Sequence, residues 1–340
     1  MNKLRLWTGI LLPAFFLHAC IEDDPGVWIK FGGFTQGTTY AITYQAADSI
    51  NFQEDIEQVL MDFDLSLSTY IPGSIISRIN QDEETVPTDI YFSTCFRAAQ
   101  EVHSVTGGAF DITVAPLVNA WGFGFTERAE IDSSLIDSLL EYVGMEKVSL
   151  IGESVKKEMD GVMLDMNAIA QGYSVDVLAD FLESNGIRNY LVEIGGEVKT
   201  KGHNPKGIAW RVGIDKPIDG LQVPGAVLQA IVEISDRSLA TSGNYRKFYE
   251  EDGMKYSHTI DPVTGYPVQH GLLSSTVLTG DCMRSDAYAT AFMVMGFEKS
   301  REFLLSHTDL DAYLIYNDEQ GDYKVWYTDG MRKLLIKGMD

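Results

Sequence analysis

The chain has 340 residues, 45% of them apolar and 11% aromatic, which excludes a disordered polymer and allows one large α+β domain or two smaller ones. It carries 49 acidic against 26 basic residues, a formal net charge of −23, and its lysines and arginines gather nowhere into a patch. Nucleic acid is excluded as a partner on these grounds, and an anionic ligand needs a metal ion or helix N-termini to offset the field.

Residues 1–19 carry Lys3 and Arg5, then an apolar run from Leu6 to Leu17 that is too short to span a bilayer as a helix. "LHAC" at 17–20 resembles a bacterial lipobox, which makes residues 1–19 a lipoprotein signal and Cys20 the lipid-bearing residue. Residues 20–30, with "IEDDPG" at 21–26, are expected to form an acidic tether, and 31–340 a single mixed domain. The protein is therefore expected at the cell envelope, lipid-anchored, with its domain on the periplasmic or outer side. With Cys20 modified, Cys95 and Cys282 are expected to be buried free thiols.

Ile56, Val59, Leu60 and Phe63 fall at helical spacing, and "SIISRINQ" predicts a second short helix after the Pro72–Gly73 turn. A further helix is expected from Ser93 to Thr106, stopped by Gly107–Gly108. "VMLDM" at 162–166 alternates as a strand, and from Ala168 the pattern becomes helical up to Gly186. "NYLVEIGGEVKTKG" at 189–202 predicts strand, Gly195–Gly196 turn and strand, and Asp252–Gly253 predicts a hairpin turn. "MRSDAYATAFMVMG" at 283–296 predicts the start of a helix. In it Asp286 precedes Thr290 by just over one turn, so both oxygens emerge on one face. Ser285 as a cap and Thr290 bonding back along the helix would account for these residues without a ligand.

There is no G-x-G-x-x-G after a strand, no G-x-x-x-x-G-K-[ST] and no H-E-x-x-H. The histidines at 18, 103, 203, 258, 270 and 307 never fall at zinc-ligand spacing. What remains is a set of polar residues at turns: Asp111, Asp165, Glu193, Thr241–Ser242–Gly243, His258, Asp261, Asp286 and Thr290. Oxygen donors of this kind suit a hard cation such as Mg²⁺, which keeps part of its shell for water and substrate phosphate.

"GTTY" at 37–40, "STYIPGSIISRIN" at 68–80, "TGGAFDITVAPLVNAWGFG" at 106–124, "LDMNAIAQGYSVD" at 164–176, "EIGGEV" at 193–198, "TSGNY" at 241–245, "YSHTIDPVTGYPV" at 256–268 and "SDAYATAFMVMG" at 285–296 occur in one order. Together they resemble the ApbE family of flavin transferases, which move FMN from FAD onto a protein hydroxyl. The resemblance implies an α+β, T-fold-related domain. It implies Mg²⁺ held by Asp286, Thr290 and the backbone carbonyl of Ala168, with FAD as substrate. Ala109, Phe110, Asp111 and Asp165 match FAD-contacting positions, as do Gln36 and Tyr70. Gln171 stands at a flavin-contacting position where relatives commonly have Lys or Glu. His258 matches a histidine proposed as the base that activates the acceptor hydroxyl. The implied acceptors are flavoprotein subunits of envelope electron-transport complexes, bearing a short Ser/Thr-Gly-Ala-Ser/Thr motif. Two alternatives share the site: an FAD pyrophosphatase yielding FMN and AMP, and an FAD-binding lipoprotein without chemistry.

Overall fold

The computed structural model describes residues 26–124, 128–218, 225–245, 248–251 and 254–336. The expected signal, Cys20 and the Asp252–Gly253 turn lie outside the described residues. The frame is an eight-stranded sheet of β1 (Val27–Thr35), β2 (Thr38–Ala46), β3 (Tyr190–Ile194), β4 (Glu197–Lys201), β5 (Arg237–Gly243), β6 (Leu272–Thr279), β7 (Asp311–Asn317) and β8 (Tyr323–Tyr327). The strands lie side by side in chain order and every neighbouring pair is antiparallel. β1 starts at Val27, so residues 27–30 of the expected tether are instead paired with β2. Alternation builds the strands: in β3 Tyr190, Val192 and Ile194 are buried while Leu191 and Glu193 between them face the other side.

Among the described residues, excursions from the sheet supply eight α-helices: α1 (Gln53–Leu67), α2 (Ile75–Asn80), α3 (Ile90–Val105), α4 (Ala115–Ala120), α5 (Ser133–Leu140), α6 (Asn167–Ser184), α7 (Cys282–Ser306) and α8 (Asp329–Leu334). α6 lays Val175, Leu178, Ala179 and Leu182 on the face made by Tyr40, Ile42, Tyr44, Tyr190 and Val192. Phe63, Phe92, Phe96 and Phe292 join α1, α3 and α7 in the largest core, where truncating Phe92 to Ala would cost about 3–5 kcal/mol. The other sheet face is covered by a hairpin of strands 210–215 and 228–234, through Val212, Val232 and Ile234 on Val198, Leu239 and Ile315. A small separate core of Leu117, Trp121, Ile136, Val143 and Ile260 ties α4 and α5 to the segment after residue 256.

Three local expectations are corrected. α3 begins at Ile90 because Asp89 caps it, its side chain accepting the Phe92 N–H. α7 is capped by Asp281, not Ser285, and runs on to Ser306 past a kink at Gly296, whose φ is +75°. Residues 162–166 bury Val162, Leu164 and Met166 in alternation, yet they form no strand. The groups a neighbouring strand would satisfy go elsewhere: Leu164 exchanges two hydrogen bonds with the Asn80 side chain, and Asp165 N donates to Ile112 O.

Candidate functional site

A cavity of about 420 Å³ opens where α6, α7, the β3–β4 turn and the end of β5 meet the loops around residues 36, 70, 110 and 258. Each of the eleven residues that the family resemblance assigns to the site lines it. Asp286 and Thr290 project from successive turns of α7 into this space. Asp286 Oδ2 accepts the Gly172 N–H at 3.0 Å, and Thr290 Oγ1 lies 3.0 Å from Ser242 Oγ on β5. Glycine is required at 172 by the approach of α6 to α7, since a Cβ there would stand 2.7 Å from Asp286 Cβ. In a regular helix that same Gly172 amide points along the axis toward the Ala168 carbonyl, four residues earlier.

Burial dominates the electrostatics here. The Asp286 carboxyl is pushed up to about 7 by desolvation, with the Gly172 N–H opposing the rise. Glu197 at the start of β4 is also raised well above the usual range, first by desolvation and then by the charge of Asp286, against the hydrogen bond from Gln171 Nε2. Gln171 Nε2 also donates to Ile194 O at 3.1 Å, which ties the β3–β4 turn to α6. Asp286 and Glu197 are two buried carboxylates facing one cavity with amide donors but, among the described residues, no basic side chain on them. A hard cation on Asp286, Thr290 and the Ala168 carbonyl fits this donor set and would restore the ionised forms. Among the described residues no cluster of three or more His, Cys, Asp or Glu side chains is arranged to hold a metal, so such a cation would depend on hydroxyl, carbonyl, water and phosphate oxygens.

The remaining lining is set by turns. Asp111 caps the short turn 112–114, accepting from Thr113 N at 2.8 Å, and its other oxygen lies 3.4 Å from His103 Nδ1. Burial raises its carboxyl and the Thr113 hydrogen bonds oppose that. Phe110 is buried beside Ala109, and its carbonyl oxygen lies 2.9 Å from His103 Nδ1. Asp165 accepts the Asn167 N–H at 2.8 Å as α6 begins. Tyr70 stands 64% exposed at the rim, so one ring face is available to a planar ligand. Gln36 occupies the β1–β2 turn with φ +50°, and its Oε1 accepts from Ser174 Oγ at 3.3 Å. Its buried Nε2 completes no hydrogen bond, although it tempers the burial-raised carboxyl of Asp64 nearby. His258 lines the cavity with the Phe123 ring edge-on at 6.4 Å.

Sequence reasoning passed over Glu197, Asp64 and the part Ser242 plays. The signal for Glu197 was present: strand alternation puts it on the face opposite Val198, toward the helices. Asp261 is not brought to the cavity; it accepts the Val263 N–H at 2.8 Å within its own turn. Glu193 accepts the Gly196 N–H at 2.8 Å and lines a different cavity.

The model of the ApbE family matches residues 36–314. A protein from Vibrio cholerae serotype O1 called FAD:protein FMN transferase is 38% identical over 98% of this chain and 100% of its own length. Among solved structures, the flavin transferase ApbE from Vibrio cholerae superposes with a TM-score of 0.81 at 36% identity, covering 92% of this chain and all of that one. The apo form of the flavinyl transferase ApbE from Pseudomonas stutzeri gives the same TM-score at 33% identity, over 92% of this chain and 98% of its own.

Proposed function

Because the chain belongs to the ApbE family, it is an FAD:protein FMN transferase, and we propose that it attaches FMN to a serine or threonine hydroxyl with Mg²⁺ assisting and AMP leaving. The observation that carries this is the pairing, in one cavity, of the Asp286–Thr290 face of α7 with His258 and an apolar wall. Asp286, Thr290 and the Ala168 carbonyl would hold Mg²⁺, which when bound neutralises and orients phosphate oxygens.

The chain's own residues do the rest. Phe110, Tyr70, Val114, Val118 and Phe123 supply ring-binding surface and keep bulk water from the phosphates. Asp111, Asp165, Gln36 and Gln171 bring polar groups to the ring and ribose edges, and Gln171 is held in place by its bonds to Ile194 O and Glu197. A serine or threonine hydroxyl is a weak nucleophile at neutral pH, and His258 is the group on this cavity suited to take its proton. The acceptor oxygen then bonds to the FMN phosphorus as the bond to AMP breaks. Incubation with FAD, Mg²⁺ and an apo acceptor flavoprotein, followed by mass spectrometry, should show one FMN adduct per acceptor site and release of AMP. Free FMN formed at the same rate with and without acceptor would overturn the transfer.

We also propose that Cys20 carries a lipid that holds the domain at the cell envelope, on the periplasmic or outer side, where subunits of electron-transport complexes are the acceptors. Lys3, Arg5, the apolar run and "LHAC" support this, and no described helix is long and apolar enough to cross a membrane itself. Cys20→Ser should shift the protein from the membrane to the soluble envelope fraction. Unchanged partitioning would show that the anchor lies elsewhere.

A further inference from the structure

β4 and β5 stop pairing before β5 ends. Their ladder matches Val198 with Leu239, Lys199 with Ser238 and Thr200 with Arg237. On its other edge β5 stays paired with β6 as far as Gly243, opposite Ser274. The Gly195–Gly196 turn causes the difference: with φ of +64° and +111° it connects β4 to β3, so Ala240 to Gly243 have no strand partner on the β4 side among the described residues. A gap is left inside the sheet, between this edge of β5 and the β3–β4 turn. Asn244 N donates to Leu273 O on the β6 side, and by alternation the main-chain groups of Thr241 and Gly243 face the gap.

Each face of the sheet holds a cavity beside this gap. On the helical face is the flavin site, where Ser242 reaches Thr290. On the hairpin face lies a second cavity of about 320 Å³, walled by Val212, Leu228 and Leu239. Gly195 and Thr241 line both, so the two spaces meet at the gap. The outer side of the turn is open, since a Cβ on Gly196 would meet nothing within 4 Å.

We infer that this gap takes an extended segment of the acceptor protein as an added strand, its hydroxyl side chain turned into the flavin cavity and its sequence neighbour into the second cavity. This rests on the transferase activity stated above. Successive side chains of a strand point to opposite faces, so a segment lying in the gap presents alternate residues to the two cavities without bending. Main-chain hydrogen bonds to Thr241 and Gly243 hold the segment whatever its sequence, and the second cavity, with Val212, Leu228 and Leu239 on its walls and Glu193 and Asp215 beside them, selects the residue next to the hydroxyl. An acceptor segment is the occupant because transfer requires a polypeptide to bring its hydroxyl to FAD, and the gap is continuous with the cavity that His258 lines.

The test uses an apo flavoprotein that the wild-type enzyme flavinylates, with Leu228→Trp to fill the second cavity, where Leu228 packs over Gly213. The acceptor KM should rise about tenfold or more, while FAD binding, followed by flavin fluorescence, stays as in wild type. An unchanged acceptor KM overturns the inference, and so does an equal loss of FAD affinity, which would make the second cavity part of the flavin site. Amide hydrogen exchange on wild type decides the matter even where the variant fails to fold. Thr241 and Gly243 should gain protection when saturating acceptor is added, and unchanged exchange at both overturns the added strand. A wild-type enzyme that flavinylates no protein removes the activity itself and this inference with it, a result distinct from an active variant with normal acceptor KM.

Discussion

On α6, α7 and the strand ends, the wall of the proposed flavin cavity is polar and close-packed, whereas around residues 109–124 and 256–262 it is mostly apolar and rests on a small core of its own. The first wall leaves no slack. A Cβ at Gly172 would meet Asp286, Gln171 clamps the β3–β4 turn, and Asp176 on α6 accepts the amides of Cys282 and Met283 at the start of α7 while pairing with Lys199. The second wall is made of turns whose positions follow from Trp121, Ile136 and Ile260 packing together. Asp286 and Glu197 are thus placed on rigid elements, and the apolar surface and the proposed base on segments held by side-chain packing. Changes in the first wall should abolish chemistry, and changes behind the second should grade it.

The largest effect is expected at Asp286. Asp286→Ala removes the charged oxygen proposed to hold the cation, worth several kcal/mol of phosphate stabilisation, so transfer should fall by about 10³-fold or more. The fold should survive, because the lost group is itself under strain. With its folded carboxyl raised to about 7 from 3.8, the folded chain keeps a proton between those values that the unfolded chain releases. Metal-free wild type should therefore lose stability as pH rises through that window, and Asp286→Asn should lose less. The variant's advantage should reach up to about 4 kcal/mol above pH 7 and vanish below pH 4. Urea denaturation in chelator at pH 4 and pH 8 measures it, and equal stabilities at pH 8 would show that burial does not strain this carboxylate. Mg²⁺ should raise the Tm of wild type but not of Asp286→Asn.

His258→Ala addresses the second wall directly. Transfer should drop by about 10²- to 10⁴-fold, the range for a lost general base, while FAD still binds. Loss of FAD binding in step with transfer would make His258 a wall residue, and the division between walls would blur.

What the sequence disclosed follows the same division. The Asp286–Thr290 face was legible because helical periodicity is local: a spacing of four specifies a shared face before any tertiary contact is known. The sheet hairpin around Gly195–Gly196 was legible for the same reason. Less local features escaped. Residues 162–166 alternate like a strand, but their hydrogen bonds go to Asn80, 84 positions away from Leu164, and nothing in the segment announces that partner. Asp281 displaced Ser285 as the cap of α7 because both are good caps and only the direction of chain entry from β6 decides between them. Glu197 went unnoticed because its strand was read only for its turn, although the turn is what aims Glu197 at Asp286.

The smallest expected effect lies behind the second wall. Trp121 stacks on Tyr256, two residues before His258, and its Nε1 donates to the Gly265 carbonyl at 2.8 Å. Gly265 holds φ of +77°, a backbone state that glycine alone adopts without strain, and a Cβ there would press on Ile136. The indole N–H therefore fastens the far end of the 256–268 segment to α4. Trp121→Phe keeps a ring over Tyr256 but leaves the buried Gly265 carbonyl without this donor, at a cost of about 1–3 kcal/mol. The loss of grip should reach His258 as a displacement rather than a deletion, so kcat should fall only a few-fold, well short of the range for a missing base. Meanwhile the Mg²⁺-dependent rise in Tm, which belongs to the first wall, should be preserved. A Trp121→Phe enzyme that loses both transfer and the Mg²⁺ response would show the two walls to be one cooperative unit. One that loses neither would show that the small core is not what positions His258.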